Sequence, residues 1–98
     1  MYANGHGVAR DDGEAVRWYA KAAEQGHALA QFNLGGMYNS GRGVARDAIR
    51  SYMWISLAAE AGDASASSDR KRIARRMSAV ELGWAQDLKR QWLEAHRA

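Results

Sequence analysis

The sequence predicts an all-α solenoid of stacked antiparallel helix pairs, about five helices in all, and three observations carry that reading. Half of the first 28 residues recur, without a gap, 36 positions later. Met1, Tyr2, Gly5, Gly7, Val8, Ala9, Arg10 and Asp11 return as Met37, Tyr38, Gly41, Gly43, Val44, Ala45, Arg46 and Asp47. Trp18, Ala22, Ala23, Glu24, Gly26 and Ala28 return as Trp54, Ala58, Ala59, Glu60, Gly62 and Ala64. A fixed period of this length marks units that cannot bury their apolar faces alone and must stack. Between the repeated turn signals, apolar residues fall at helical spacing. Finally, four Trp, four Tyr and one Phe stand beside ten Gly with no Pro at all, a mixture that suits close, uninterrupted helices.

The elements follow in order. Residues 12 to 25 place Ala15, Trp18, Tyr19, Ala22 and Ala23 on one stripe, with Asp11 as N-cap and Gly26 as a left-handed stop. A second helix is expected over 28 to 39, where Ala30, Leu34 and Tyr38 lie four residues apart and Gly35 lets a neighbouring helix come close. Ser40 to Asp47, the twin of Asn4 to Asp11, is the turn. Gly41 stands for the helix stop, with positive φ expected there and at its twin Gly5, Gly43 for the bend and Val44 for the groove between helices. Asp47 caps a helix over 47 to 61 that is expected to bury Tyr52, Trp54, Ile55, Ala58 and Ala59 before Gly62 ends it. Asp63 then opens residues 64 to 77, where the repeat breaks down: Arg70, Lys71 and Ala74 replace Leu34, Gly35 and Tyr38. Ser78-Ala79-Val80-Glu81 is a capping box for a last helix over 79 to 96. There Val80, Trp84, Leu88 and Trp92 form a stripe that Leu82, Ala85 and Leu93 broaden.

The chain therefore divides as one domain, 1 to 98, made of a truncated first repeat (1 to 27), a full repeat (28 to 63) and a degenerate repeat (64 to 98) acting as C-terminal cap. A chain this short buries only roughly 60 to 65 % of its unfolded surface, so local stacking must carry much of its stability. Without Cys there is no disulfide, thiolate metal site or cysteine nucleophile. No run approaches the roughly 20 apolar residues of a membrane span, and the N-terminus lacks the order of a signal peptide, which makes the cytoplasm the default compartment. Met1 and Tyr2 match residues near a helix end, however, so the chain is expected to begin inside a repeat, with any export signal upstream. Charge is uneven: residues 1 to 63 carry six basic and seven acidic side chains, residues 64 to 98 eight and four. Much of that excess is Arg70, Lys71, Arg72, Arg75 and Arg76, read first as the solvated face of a terminal helix.

The residues common to both copies, with Ala30, Leu34, Gly35 and Asp47, resemble the Sel1-like repeat, a relative of the tetratricopeptide repeat with a longer turn between its helices. The likeness covers residues 1 to about 64. It implies a right-handed superhelix and a scaffold or adaptor role, commonly in bacterial signalling, envelope or secretion pathways. Some cysteine-rich relatives are linked to β-lactam binding, and this chain lacks their cysteines.

Catalytic chemistry finds no anchor. His6, His27 and His96 have no partner at three or four residues, so no metal site is expected, and His27 reads as an exposed cap. Gly41-Arg42-Gly43 lacks the preceding strand of a phosphate loop, and no nucleophile elbow or carboxylate pair stands out. No enzyme and no cofactor is expected; a hydrolase is the remotest alternative. If Leu34, Gly35 and Tyr38 face the next helix, then Leu29, Phe32, Gly36 and Asn39 form a second stripe, followed one repeat later by Ser65, Ser68, Arg72 and Arg75. By resemblance to tetratricopeptide repeats this stripe lines a concave groove. Leu29, Phe32, Gly36, Asn39, Arg72 and Arg75 are thus the candidate site for an acidic protein or peptide, the other reading being that Phe32 packs against the cap helix. The Arg70 to Arg76 cluster also suggests nucleic acid, against which the acidic balance of residues 1 to 63 argues. Self-association is expected at the N-terminal end, through Met1, Tyr2, Trp18 and Tyr19.

Overall fold

The computed structural model describes residues 11 to 97. Five helices fill them: α1 (Asp12–Glu24), α2 (Ala28–Ser40), α3 (Ala48–Glu60), α4 (Ala64–Ala74) and α5 (Ala79–Ala95). No strand occurs among the described residues. The repeat is visible in the joints. Asp11, Asp47 and Asp63 each accept a hydrogen bond from the backbone N–H three residues on, at 3.0, 3.1 and 2.9 Å, satisfying donors that a helix start leaves without partners. Ser78 and Glu81 close the expected capping box around α5. The α1 and α3 ends are alike: His27 N–H donates to Ala22 O and Gly26 N–H to Ala23 O, and 36 residues on Asp63 and Gly62 do the same to Ala58 and Ala59. This double bond pattern lets the residue that ends one helix cap the next. Gly41 holds φ 75° and donates to Met37 O at 2.8 Å; its twin Gly5 lies outside the described residues.

Helix α3 is the centre of the molecule. It packs on α2, α4 and α5, and Met53 to Ala58 are buried without a break, which is why its apolar residues show no single stripe. One cluster joins Ala23, Ala30, Leu34, Met53, Trp54 and Leu57 across α1, α2 and α3. A second joins Ile55 and Ala58 to Ala66 and Ile73 of α4, with Phe32 packed against it. The tightest approach is at Gly35, where a Cβ atom would lie 2.6 Å from Ile55 Cγ1 and 3.1 Å from Ser51 O. The gap left by the missing side chain also lets Ser51 Oγ donate to Gly35 O at 2.8 Å. Gln31, likewise buried, donates from Nε2 to Ala23 O at 3.2 Å. Buried polar groups are thus paired, as burial in a low-dielectric interior requires.

Three expectations need correction. α4 stops at Ala74 rather than 77, because Arg75 to Ser78 must turn the chain into the α5 cap. The α1 stripe is shifted: Tyr19, Ala22 and Ala23 pack inward as expected, Val16 and Ala20 join them, and Trp18 is 58 % exposed. The α5 stripe is split, with Leu88 and Trp92 packed inward, Ala85 buried, and Val80 and Trp84 exposed. The reason lies in how α5 sits. It scarcely touches α4, its sequence neighbour, and crosses α3 instead, so that only its middle turns are covered.

Candidate partner-binding surfaces

The residues expected on the α2–α4 face are placed as follows. Leu34 and Gly35 turn inward to α3, so the outer side of α2 presents Leu29, 66 % exposed, together with Gly36 and Asn39. Phe32 is half-buried against Ile55, Ala66 and Ile73, a floor residue more than a projecting one. Arg72 on α4 and Arg75 just past its end are exposed; Arg72 is paired with Asp69 one turn back, while Lys71, Arg75 and Arg76 have no ion-pair partner among the described residues. Arg70 turns the other way. Its guanidinium donates to Ser56 Oγ at 3.4 Å and lies 4.0 Å from Glu60, so it belongs to the packing and leaves the basic cluster interrupted.

The contacts of α5 hold an arrangement that periodicity did not suggest. Two glutamates related by the repeat, Glu24 and Glu60, both reach α5. Glu24 accepts from Trp92 Nε1 at 3.1 Å and meets His96 Nε2 at 2.9 Å; Glu60 pairs with Lys89 as well as facing Arg70. His96 stacks on Trp92 at 3.9 Å between ring centroids, and Trp92 meets Trp54 edge-on at 5.9 Å. Between α1, α3 and α5 this leaves a groove in two adjoining hollows of about 410 and 380 Å³. The equal spacing of Glu24 and Glu60 was the available signal. Of the residues expected at a self-association surface, Tyr19 packs inward, Trp18 is exposed under the Lys21 ammonium, 5.7 Å from the ring centroid, and Met1 and Tyr2 lie outside the described residues. No cluster of metal-ligating side chains occurs among the described residues.

The Sel1 repeat family model matches residues 1–27 and 28–63. The chain belongs to the Sel1 repeat family. No curated protein matches it. Among solved structures it is similar to c5321, a protective antigen present in uropathogenic Escherichia coli strains and displaying an SLR fold, with a TM-score of 0.85 and 34% identity. The match covers 92% of this chain and 20% of c5321, so the chain spans a fifth of that protein's length. Sel1 repeat proteins are generally protein-interaction scaffolds and typically non-catalytic. In this Sel1 repeat chain, no described helix is long and apolar enough to cross a membrane.

Proposed function

We propose that this module is a non-catalytic scaffold that holds an acidic segment of a partner protein along α2 and α4. The observation that carries the reading is the exposure of complementary groups: Leu29 offers apolar contact, and Arg75, with Lys71 and Arg76, offers charge that no carboxylate among the described residues takes up. Arginine favours carboxylates because its planar fork can give two parallel hydrogen bonds. Gly36 and Asn39, exposed on the same helix as Leu29, add small and polar surface. Residues 64 to 98 act in this reading as the C-terminal cap, a role supported by their charged outer face and by the lack of a close α4–α5 pair. Trp18 supports a lesser role in self-association, testable by sedimentation over a concentration series.

The test is calorimetric titration of the full chain with a blocked hexapeptide of alternating glutamate and leucine. Arg75→Glu should weaken binding about tenfold or more, since charge-assisted bonds contribute roughly 1.5 to 3 kcal/mol each, with the melting temperature unchanged. Equal binding by Arg75→Glu would remove the reading. Tight, steeply salt-dependent binding to duplex DNA of arbitrary sequence would transfer the basic cluster to nucleic acid.

A further inference from the structure

We infer that the groove that α5 forms with α3 and α1 is a second docking surface, and that it takes a peptide segment joining a large apolar side chain to a basic one. The two hollows share Arg50, Leu88 and Gln91, so they form one continuous channel along α5. Its floor and wall are aromatic. Tyr38 and Trp54 lie below, Trp92 stands beside them, and Trp84 is 57 % exposed at the open end. The stripe from Val80 to Trp92 has the spacing of a fully covered helix face, yet α3 covers only its second half. A tryptophan left half in water beside a groove is the residue type that most often anchors a partner, because its large ring gains contact area while losing few rotamers.

Charge selects the occupant. Three carboxylates line the channel, Glu24, Asp47 and Asp87, against one guanidinium, Arg50, which Asp47 already engages at 3.3 Å. A net negative groove on a chain of formal charge +3 repels an acidic segment and attracts a basic one. Asp87 meets Arg90 at 3.5 Å and Glu24 meets His96, but side-chain exposures of 62% and 50% leave these carboxylates half in water. Exposed pairs of this kind are weak enough for an incoming cation to share. The channel can thus hold an arginine or lysine against its rim while an adjoining leucine or aromatic ring lies on Trp84 and Leu88. The α2–α4 face has the opposite sign, so the module is built to hold two partners of different chemistry at once.

Tryptophan fluorescence and calorimetry on the full chain test this, with a blocked hexapeptide of alternating arginine and leucine at low ionic strength. Binding is expected to weaken about tenfold or more in Trp84→Ala, the fold-change of a lost anchor, and by a smaller factor in Asp87→Lys, while Arg75→Glu on the other face binds as the parent does. Both groove positions are exposed, and unchanged melting curves establish that the variants fold. The inference is overturned if no binding occurs, if Trp84→Ala binds as the parent does, or if the glutamate–leucine peptide is equally sensitive to Trp84→Ala. Concentration-dependent dimerisation that shields Trp84 without peptide would assign the groove to a second copy, and that too overturns it. Because the acidic-peptide experiment reads Arg75 and this one Trp84, either proposal can fail alone.

Discussion

Adjacent glycines on α2 should respond to alanine with opposite signs. At Gly35 a new methyl would sit 2.6 and 2.7 Å from Ile55 Cγ1 and Cδ1 and 3.1 Å from the Ser51 carbonyl. Ile55 is 1 % exposed and has no space into which to turn. Carbon atoms prefer about 3.5 to 4.0 Å, so α2 and α3 must part by roughly 1 Å. Such overpacking costs about 1 to 3 kcal/mol. Parting the helices also stretches the 2.8 Å Ser51–Gly35 hydrogen bond, which contributes about 1 kcal/mol. Alanine's better helix propensity returns about 1 kcal/mol. The net loss is about 2 kcal/mol, or a melting temperature lowered by roughly 10 °C in a domain of this size. At Gly36 nothing lies within 4 Å of the added Cβ, so the propensity gain stands alone and stability should rise by about 0.5 to 1 kcal/mol. Thermal melts followed by far-ultraviolet dichroism read both. Adding Ile55→Ala to Gly35→Ala should cost less than the two single losses together, because the new methyl fills space that the shortened side chain vacates. A stabilised Gly35→Ala, or equal losses at both positions, would refute the helix-contact account.

Other outcomes follow from the same geometry. Gly41→Ala should lose about 1 kcal/mol or more, since φ 75° disfavours a Cβ; an unchanged melt would dismiss the left-handed cap. His27 caps α2 without a side-chain bond whereas its twin Asp63 makes one, so His27→Asp should stabilise by about 0.5 to 1 kcal/mol, and Asp63→Ala should destabilise by about 1 kcal/mol, both seen in denaturant midpoints. Trp84→Ala should change stability by less than about 0.5 kcal/mol, and Trp92→Ala, which removes the contacts to Trp54, Glu24 and His96, should cost about 2 to 3 kcal/mol in urea unfolding.

How much was legible depended on the range of the interaction. Asp11, Asp47, Gly41, Asp63 and the Ser78–Glu81 box act within a few residues of themselves, so their patterns located the helix ends to within one to three residues. Gly35 was legible because its neighbour's approach leaves a missing side chain in the sequence. The placement of α5 was not. Whether Trp84 or Ala85 faces α3 depends on the crossing of two helices, and a stripe of seven apolar residues on α5 is compatible with several rotations. The Ser51, Ser56 and Gln31 pairings were hidden for a related reason: a polar residue in a helix looks alike whether it meets water, a carbonyl from another helix, as Ser51 and Gln31 do, or a distant cation, as Ser56 does. In the candidate site, Leu29, Gly36, Asn39 and Arg75 could be placed outward from period alone, and Phe32 packs against Ala66 and Ile73 as its second reading has it, while the inward turn of Arg70 follows from α3 and could not be read.

The two glutamate contacts to α5 alter how this repeat array should unfold. In a linear solenoid each unit touches only its neighbours, and stability is lost unit by unit from the ends. Here Trp92 lies 68 residues from the Glu24 carboxylate that it donates to, and the same helix is tied to Glu60 in the next unit. Through these side chains α5 is linked to α1 as well as to α3, a long-range tie that a purely nearest-neighbour stack lacks. Contacts of such separation form later than local ones, which slows folding relative to a purely local stack. While the tie holds, α1 and α5 should gain and lose hydrogen-exchange protection together.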